Sequence, residues 1–463
     1  MKTMTYLDPR ESIWPGLVSG LCLAVIMTAL EQPEAIVITA VVAWLCMLWW
    51  IFEPLPIPVT SLLPIAVFPI SGVLTPEQVG ASVGSPLIIL LLGGFLLSRG
   101  MESTGAHHRI ALSVVNLVGG HKPRRLVLGF MIAGALLSMW ISNTASILML
   151  MPVALAVLAS CSDRNSLAAP LLLGLAWSCS IGGLGTPIGT PPNLILVQVY
   201  EENTAQTISF GQWMSWGIPV VLTLLPLAWW WVTRAVPREL DIQLPAVGPW
   251  RSAERRVLVV FGLTAVAWIT RAEPFGGWQT WLDLPAANDA SVALLAVVAL
   301  FVVRDDQGEP LIDWAKASQI PWGVLLLFGG GICLARAFVA SGLSAQVGDA
   351  LTTVAALPVF AMMLLLALAV TFLTEATSNT ATTALLMPVL AAVALAVEID
   401  PLWLMVPAAM SASCAFMLPV ATAPNAVVFG SGELPIRRMV REGFALNLMG
   451  ALLIATVAWV LLT

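Results

Sequence analysis

Charged residues are scarce in this sequence, and their scarcity excludes an ordinary soluble protein. Only 10% of the 463 residues are Asp, Glu, Lys or Arg, whereas 59% are hydrophobic. A soluble chain of average composition is about one quarter charged. Apolar runs recur along the whole chain with short connections, and an apolar run of about 20 residues is typical of a membrane-spanning helix. The composition therefore predicts an all-α polytopic membrane protein without a separate soluble domain.

The motifs of the common enzyme classes are also missing. The sequence has no Walker phosphate-binding loop, no H-E-x-x-H zinc motif, no G-x-S-x-G nucleophile turn and no paired aspartates in its apolar runs. Its six cysteines are scattered singly and show neither metal-ligand spacing nor a disulfide framework. We therefore expect no enzymatic activity and no ATP-driven pumping within this chain.

The apolar runs predict about eleven transmembrane helices. They lie near 15–30, 35–52, 57–70, 86–104, 168–199, 217–236, 256–271, 289–303, 321–340, 402–429 and 440–462. Two further apolar blocks occupy 124–160 and 357–397, and each is either two spans joined by a short turn or a re-entrant hairpin. Neither arrangement adds a net crossing, so the two termini are expected on opposite sides of the membrane.

The basic residues predict the orientation. With the N-terminus inside, only Arg271 and Arg336 of the 20 Lys and Arg clearly fall outside, and Arg99 is undecided near a helix end. Cytoplasmic loops carry an excess of Lys and Arg. We therefore expect a multi-pass protein of the plasma membrane (the inner membrane of a bacterium), with a cytoplasmic N-terminus and an extracytoplasmic C-terminus.

One stretch of the sequence occurs twice. Residues 138–153 and 374–389 both contain Ser-Asn-Thr followed by Met-Pro-Val, at an offset of 236 residues. The predicted orientation makes the first block enter from the cytoplasm and the second from the opposite side, which is the signature of an inverted repeat. We predict a tail and first helix over 1–34, a first repeat over 35–238 and a second repeat over 239–463.

Each repeat continues with an interrupted helix and a closing helix. The span 168–199 contains G-G-L-G-T-P-I-G-T-P-P-N, and the span 402–429 contains L-P-V-A-T-A-P-N. Pro and Gly at this density break a helix. Paired interruptions in corresponding halves are typical of a transporter binding site. The closing helices are predicted over 217–236 and 440–462.

The chemistry of these segments favours the transport of an anion together with a cation. A broken helix offers free N–H groups that suit a carboxylate, while carbonyls, hydroxyls and Asn side-chain oxygens suit a hard monovalent cation. Neither Ser-Asn-Thr cluster contains Lys, Arg or His. A bound anion would therefore need a cation beside it to compensate its charge.

Structural explanations compete with some of these assignments. Ser and Thr in membrane helices often bond the carbonyl one turn earlier, although two copies in register favour a site. The glycine pairs at 93–94 and 329–330 are expected at close helix contacts. Glu375 is either a functional carboxylate or a structural cap. Three histidines in a basic stretch are expected to be solvated: His107, His108 and His121.

These motifs together resemble a known family. The paired Ser-Asn-Thr signatures, the T-E-A-T-S-N-T-A-T-T run and the G-T-P-P-N and A-T-A-P-N loops are similar to those of the divalent anion:sodium symporters, the INDY-type di- and tricarboxylate transporters. The similarity covers the chain from residue 35 onward. It implies a homodimer with a static scaffold and a mobile transport domain, built from the hairpins and broken helices, that moves as an elevator.

The resemblance also implies which residues bind. A first sodium site would use Ser138, Ser142, Asn143 and the backbone at Gly189, and a second would use Thr374, Thr377, Asn379 and the backbone at Ala421. The substrate would meet Asn143, Thr144, Thr190 and Pro191 from one half, and Asn379, Thr380, Thr422 and Ala423 from the other. Ala423 departs from the Pro-Pro-Asn common in the family, and it frees a backbone N–H and some space near the substrate.

The sequence thus predicts a secondary active transporter. It would carry a divalent organic anion, a C4-dicarboxylate such as succinate, in symport with two or more sodium ions, in contact with lipid and without an organic cofactor or nucleic acid. Within transport, the alternatives are sulfate or another inorganic anion, a tricarboxylate, or sodium-independent dicarboxylate exchange. A passive anion channel or a membrane receptor is the alternative from a different class.

Overall fold

A computed structural model describes residues 13–119, 122–161, 163–237, 248–272, 276–344, 346 and 357–463. These residues form helices and connecting loops, and their one β-type contact is an isolated bridge between Arg304 and Pro310. The predicted all-α fold class is confirmed. The first twelve residues, His121 and the predicted repeat boundary at 238–239 lie outside the described residues.

The helices follow the apolar runs closely. Up to residue 237 they span Ile13–Ala29, Glu34–Phe52, Ile57–Thr60, Leu62–Ser71, Pro76–Val83, Pro86–Thr104, Ala106–Val114, Pro123–Ser138, Asn143–Ser160, Arg164–Gly182, Pro191–Thr204 and Phe210–Thr233. After it they span Ser252–Ile269, Gly277–Trp281, Asp289–Val302, Trp314–Ala317, Trp322–Ser341, Val359–Thr374, Asn379–Ala396, Leu402–Ala412, Ala423–Gly430 and Ile436–Leu462.

Eight helices in the described part of the chain are long and apolar enough to cross a membrane. Five shorter apolar helices accompany them, including 57–71 and 359–374. A multi-pass membrane protein is therefore confirmed, whereas the number of crossings, the orientation and the division into repeats stay predictions.

Both ambiguous blocks are helical hairpins. The first hairpin, 123–160, pairs Pro123–Ser138 with Asn143–Ser160, and the second, 359–396, pairs Val359–Thr374 with Asn379–Ala396. In each, the second helix begins at the Asn of Ser-Asn-Thr. Ser142 precedes the first of these helices and its side chain accepts a hydrogen bond from the Ala145 N–H (3.2 Å), as expected of an N-cap serine.

The two interrupted helices are broken where Gly and Pro cluster. The first broken helix runs over Arg164–Gly182, a short 3₁₀ turn at Gly183–Gly185, an unwound stretch and Pro191–Thr204. The second runs over Leu402–Ala412, an unwound stretch and Ala423–Gly430. Proline is tolerated in the first turn of the restarted helices because the first N–H groups of a helix have no partner within it.

Glycines let the surrounding helices approach closely. A Cβ on Gly93 would lie 2.5 Å from the Ala293 Cβ, and one on Gly330 would lie 2.2 Å from the Ser61 carbonyl oxygen. Such distances leave no room for any side chain, so the expected close packing is confirmed at these two members of the glycine pairs.

Candidate substrate and ion binding site

One cavity of about 930 Å³ brings the two repeated motifs together. Both hairpin tips and both unwound stretches line it. Its walls include twelve of the fourteen residues that the sequence predicts for the site: Ser142, Asn143, Thr144, Gly189, Thr190, Pro191, Thr377, Asn379, Thr380, Ala421, Thr422 and Ala423. Ser138 and Thr374 are buried directly behind the tips. The predicted convergence of the two motifs is therefore present, while the role of each residue stays a prediction.

The same hydroxyl-to-Asn hydrogen bond occurs in both tips. In the first hairpin the Ser138 hydroxyl donates to the Asn143 Oδ1, and in the second the Thr374 hydroxyl donates to the Asn379 Oδ1 at 2.7 Å. Ser138 and Thr374 are fully buried, so each bond fixes an Asn side chain from inside the protein. Each Asn thereby presents its amide at the cavity in a set orientation.

The first tip faces the first break through a small space. A Cβ on Gly183 would lie 2.8 Å from the Asn143 Oδ1 and 3.2 Å from the Gly189 carbonyl oxygen. Both oxygens therefore lie close to the same position, next to the Gly183 Cα. Neutral side-chain and carbonyl oxygens are ligands that suit a hard cation, so the residues here fit a sodium ion.

The second tip is more extensively bonded. The Thr374 hydroxyl is also 3.0 Å from the Ala412 carbonyl oxygen at the start of the second break. The Thr377 hydroxyl contacts the Thr382 hydroxyl at 2.6 Å and donates to the Leu373 carbonyl at 2.9 Å. The Ala412 contact holds the second tip to its own broken helix, and the two Thr377 contacts lie within the hairpin.

In each break, the side-chain amide of one Asn donates hydrogen bonds to two backbone carbonyls and so closes the unwound segment. The Asn193 Nδ2 donates to the carbonyls of Gly183 (2.9 Å) and Thr186 (2.8 Å). The Asn425 Nδ2 donates to the carbonyls of Ala415 (3.0 Å) and Leu418 (3.0 Å). An unwound segment leaves carbonyls without helical partners. Burying such an unpaired polar group costs about 1–3 kcal/mol by mutational data on proteins, and more in hydrocarbon. The two amides therefore stabilise the breaks.

The two halves touch each other at the breaks. The Thr190 hydroxyl oxygen lies 3.5 Å from the Ser413 hydroxyl oxygen, and the Trp177 indole N–H donates to the Phe416 carbonyl at 3.1 Å. Trp177 and Phe416 are fully buried. The first broken helix is thus fastened to the unwound part of the second, which brings the two predicted loops to one cavity.

Glu375, whose role the sequence leaves open, is a cap. Its buried carboxylate accepts hydrogen bonds from the backbone N–H groups of Met417 and Leu418, both at 2.8 Å, and from the Asn447 Nδ2 at 2.7 Å. It therefore caps the unwound part of the second broken helix rather than the backbone of its own hairpin. The repeat places Met139 at the corresponding position of the first hairpin, so this cap exists in one half alone.

The cavity is also lined by charged residues that the sequence analysis did not assign to the site. Arg99 and Glu102 form an ion pair on the wall, and Arg99 also donates to the Gln319 Oε1 at 2.8 Å. The sequence does contain a signal for these residues, because Arg99 and Glu102 lie inside the apolar run 86–104. Ionisable residues in membrane segments are functional candidates by default. The exposed residues Glu53 and Gln319 lie with them on the wall, at the side that the sequence predicts to be cytoplasmic.

The expectation of a solvated His107 is wrong. This residue is buried against the cavity wall, and its Nδ1 lies 2.8 Å from the Met101 carbonyl oxygen. Burial lowers the pKa of His107, so its imidazole is neutral at pH 7. His108 is exposed, as expected.

Replacing Glu375 with Gln tests the cap. A Gln side chain keeps one acceptor oxygen and turns an NH₂ group toward backbone donors, which leaves at least one buried N–H unpaired. We expect Glu375→Gln to lower the free energy of unfolding by about 1–3 kcal/mol, measured by thermal denaturation of the purified protein. Glu433→Gln is the matched control, because the Arg164–Glu433 pair is partly exposed and such pairs contribute about 0–1 kcal/mol. Equal stability of the two variants would show that the cap is unimportant.

Comparison with known proteins agrees with this arrangement. A family described as "Citrate transporter" matches residues 47–409. The sodium-dependent dicarboxylate transporter SdcS of Staphylococcus saprophyticus is 38% identical over 475 residues, which cover 96% of this chain and 91% of that protein. SdcS of Staphylococcus aureus strain RF122 is 37% identical over 473 residues, with 96% and 90% covered.

Solved structures share the fold at low identity. The YdaH transporter of Alcanivorax borkumensis superposes with a TM-score of 0.61 at 15% identity, covering 84% of this chain and 87% of that one. MtrF of Neisseria gonorrhoeae superposes with a TM-score of 0.56 at 11% identity, covering 85% and 84%. The family match over residues 47–409 and the relatives that align with 96% of the chain confirm the resemblance to the divalent anion:sodium symporters. This chain belongs to the citrate transporter family, whose members are transporters and not enzymes.

Proposed function

We propose that this protein is a secondary active transporter that takes up a C4-dicarboxylate such as succinate together with two or more sodium ions. The observation that carries the proposal is the single cavity lined by both Ser-Asn-Thr tips and both unwound stretches. Relatives that match nearly the whole chain are named sodium-dependent dicarboxylate transporters, which supports the same substrate and the same coupling ion.

The chemistry of the cavity explains why cation and anion would bind together. The two tips and the two unwound stretches contribute hydroxyls, amides and backbone groups and no basic side chain. Sodium ions bound to the oxygens of each tip and loop would supply the positive charge that a dianion needs. Hydroxyls and amides at Thr144, Thr190, Thr380 and Thr422 would then donate to the carboxylates, while the restarted helices add the positive ends of their dipoles.

A tricarboxylate is the second candidate. The family description names citrate, and the cavity of about 930 Å³ exceeds the volume of a four-carbon dianion. Ala423 is exposed at the cavity, whereas the corresponding position in the first half is Pro191. The smaller residue leaves space for a further substituent on the anion.

Uptake of a panel of anions into proteoliposomes tests the substrate and the coupling. We expect succinate to accumulate against its concentration gradient when an inward sodium gradient is the sole driving force, with little uptake in choline chloride. Stronger competition by citrate than by succinate would favour the tricarboxylate, and competition by sulfate alone would favour an inorganic-anion carrier. Equal uptake with and without sodium would indicate exchange, and failure to accumulate uphill would indicate a passive pore.

Removal of either tip amide tests the site. Asn143→Ala and Asn379→Ala each delete an oxygen that the tip holds at the cavity, and we expect either change to abolish sodium-dependent uptake while the protein remains folded. Asn203→Ala is the matched control, because the Asn203 Nδ2 donates to the Val199 carbonyl at the far end of the first broken helix. Undiminished uptake in both tip variants, with an active control, would refute the site assignment.

We further propose that transport occurs by alternating access, with the hairpins and broken helices moving as an elevator against a scaffold in a homodimer. Arg336 on helix 322–341 makes two hydrogen bonds to Glu202 (2.8 and 2.7 Å), near the end of the first broken helix. Arg336 also donates to the Gln78 carbonyl at 2.9 Å. Glu202 lies about 16 Å along its helix from Pro191 at the cavity. Movement of the broken helix past helix 322–341 would break this pair.

Neutralising Glu202 tests the role of this ion pair. The pair would stabilise the described conformation, whose cavity extends toward the predicted cytoplasmic side. Loss of the pair should raise the population of the opposite conformation. If the pair contributes about 0.5–1 kcal/mol to the described conformation, the KM for external substrate should fall by about 2- to 5-fold. The KM of Glu202→Gln is measured in right-side-out vesicles, with Asp306→Asn of the exposed Arg256–Asp306 pair as control. An unchanged KM in Glu202→Gln would show that the pair does not bias the conformations.

A further inference from the structure

We propose that Arg99 and Glu102 form a carboxylate subsite on the wall of the cavity that the two hairpin tips share. In this subsite Arg99 exchanges its bond to Glu102 for a bond to a carboxylate of the transported anion, as the anion moves between the tips and the predicted cytoplasmic side. The proposal rests on the proposed function and adds a residue that meets the anion outside the repeated motifs.

The charges on the cavity wall are few and unbalanced. Among the described residues that line the cavity, three carry a charge at pH 7: Glu53, Arg99 and Glu102. The buried His107 on the same wall is neutral because burial lowers its pKa. Two carboxylates and one guanidinium leave one negative charge in excess. A dianion in this cavity is therefore repelled unless the guanidinium offsets the carboxylates.

The guanidinium of Arg99 has donors to spare. Its Nη1 donates to the Glu102 carboxylate, and its Nη2 donates to the Gln319 Oε1 at 2.8 Å. Its Nε donates to the Lys316 carbonyl at 3.5 Å. A guanidinium has five N–H groups, and these contacts use three of them. Arg99 can therefore accept a further oxygen ligand from the cavity.

The bond between Arg99 and Glu102 is of an exchangeable kind. Elsewhere in this protein Arg336 donates from two nitrogens to both carboxylate oxygens of Glu202, at 2.8 and 2.7 Å. Arg99 instead offers Glu102 a single nitrogen, and the two side chains are 29% and 18% exposed. Ion pairs that are open to solvent are weak, and the planar fork of an arginine suits a two-pronged carboxylate. A carboxylate in the cavity can therefore compete with Glu102.

A structural role for the same contacts makes a different prediction. Arg99 and Gln319 connect helix 86–104 to the segment before helix 322–341. If the ion pair served this connection alone, loss of either charged side chain would weaken the same contact and act in the same direction. A subsite requires opposite effects, because Arg99 attracts the anion while Glu102 both repels it and occupies Arg99.

The test compares the KM for succinate of Arg99→Gln and Glu102→Gln in vesicles whose outer medium contacts the predicted cytoplasmic side. In Arg99→Gln two carboxylates remain unopposed, and we expect the KM to rise about 2- to 5-fold, the range for a partly exposed ion pair. In Glu102→Gln the guanidinium is released, and the KM should fall by a similar factor. The double variant regains an excess of one negative charge, so its KM should return toward the wild-type value. Higher ionic strength in choline chloride should reduce both shifts.

Lys316→Gln is the matched control. It removes one charge from the Lys316–Asp313 pair, which has the same spacing of three residues but is exposed and lies off the cavity wall, so its KM should equal that of the wild type. Arg99→Lys keeps the charge without the fork and should raise the KM less than Arg99→Gln does. It also replaces Arg99→Gln in the test if that variant does not fold.

An unchanged KM in both single variants, or shifts in the same direction, would overturn the subsite. If the wild type then still accumulates succinate under a sodium gradient, the proposed function stands without it. Absence of sodium-driven succinate uptake in the wild type would instead contradict the proposed function, and the subsite with it.

Discussion

Backbone polar groups inside an apolar protein must find partners, and this requirement governs the centre of the molecule. Each broken helix releases carbonyls and N–H groups where water is scarce, at a cost of several kcal/mol for each unpaired group. Asn193 and Asn425 satisfy carbonyls on the inner side of each break. Residues of both unwound stretches and of both hairpin tips line one cavity beside these bonds.

The two halves pair the backbone groups of their breaks partly with corresponding residues and partly with different ones. The closing Asn and the hydroxyl that orients the tip amide recur in both. The second half adds Glu375, a buried carboxylate that holds two backbone N–H groups of its unwound stretch. In the first half the Thr186 hydroxyl of the break donates to the carbonyl of Met139, the residue that corresponds to Glu375. Close contacts of a glycine with backbone occur at both breaks: a Cβ on Gly182 would lie 2.3 Å from the Ala135 carbonyl oxygen, and one on Gly443 would lie 2.1 Å from the Phe416 carbonyl oxygen.

The sequence predicted the hairpin turns and the helix breaks because each has a local cause. Clusters of Gly and Pro break a helix, and Ser142 of the first Ser-Asn-Thr caps the helix that follows it. The place of the other cavity-lining residues beside the tips had no such local cause. Arg99 and His107 lie far in sequence from the tips, and His107 was assigned to solvent because its neighbours are basic. Burial of that imidazole depends on helix packing that no local pattern encodes.

The amino-acid sequence by itself determined the membrane environment, the turns at the two Ser-Asn-Thr motifs, the helix breaks and the resemblance to a family, since composition and local motifs are enough to predict each of these. Tertiary structure alone decided that both tips and both breaks border one cavity, and that Glu375 caps a loop 42 residues away. These are distances between segments remote in the chain. They are set by how helices pack, and packing depends on all the side chains at a contact rather than on the order of residues within one segment.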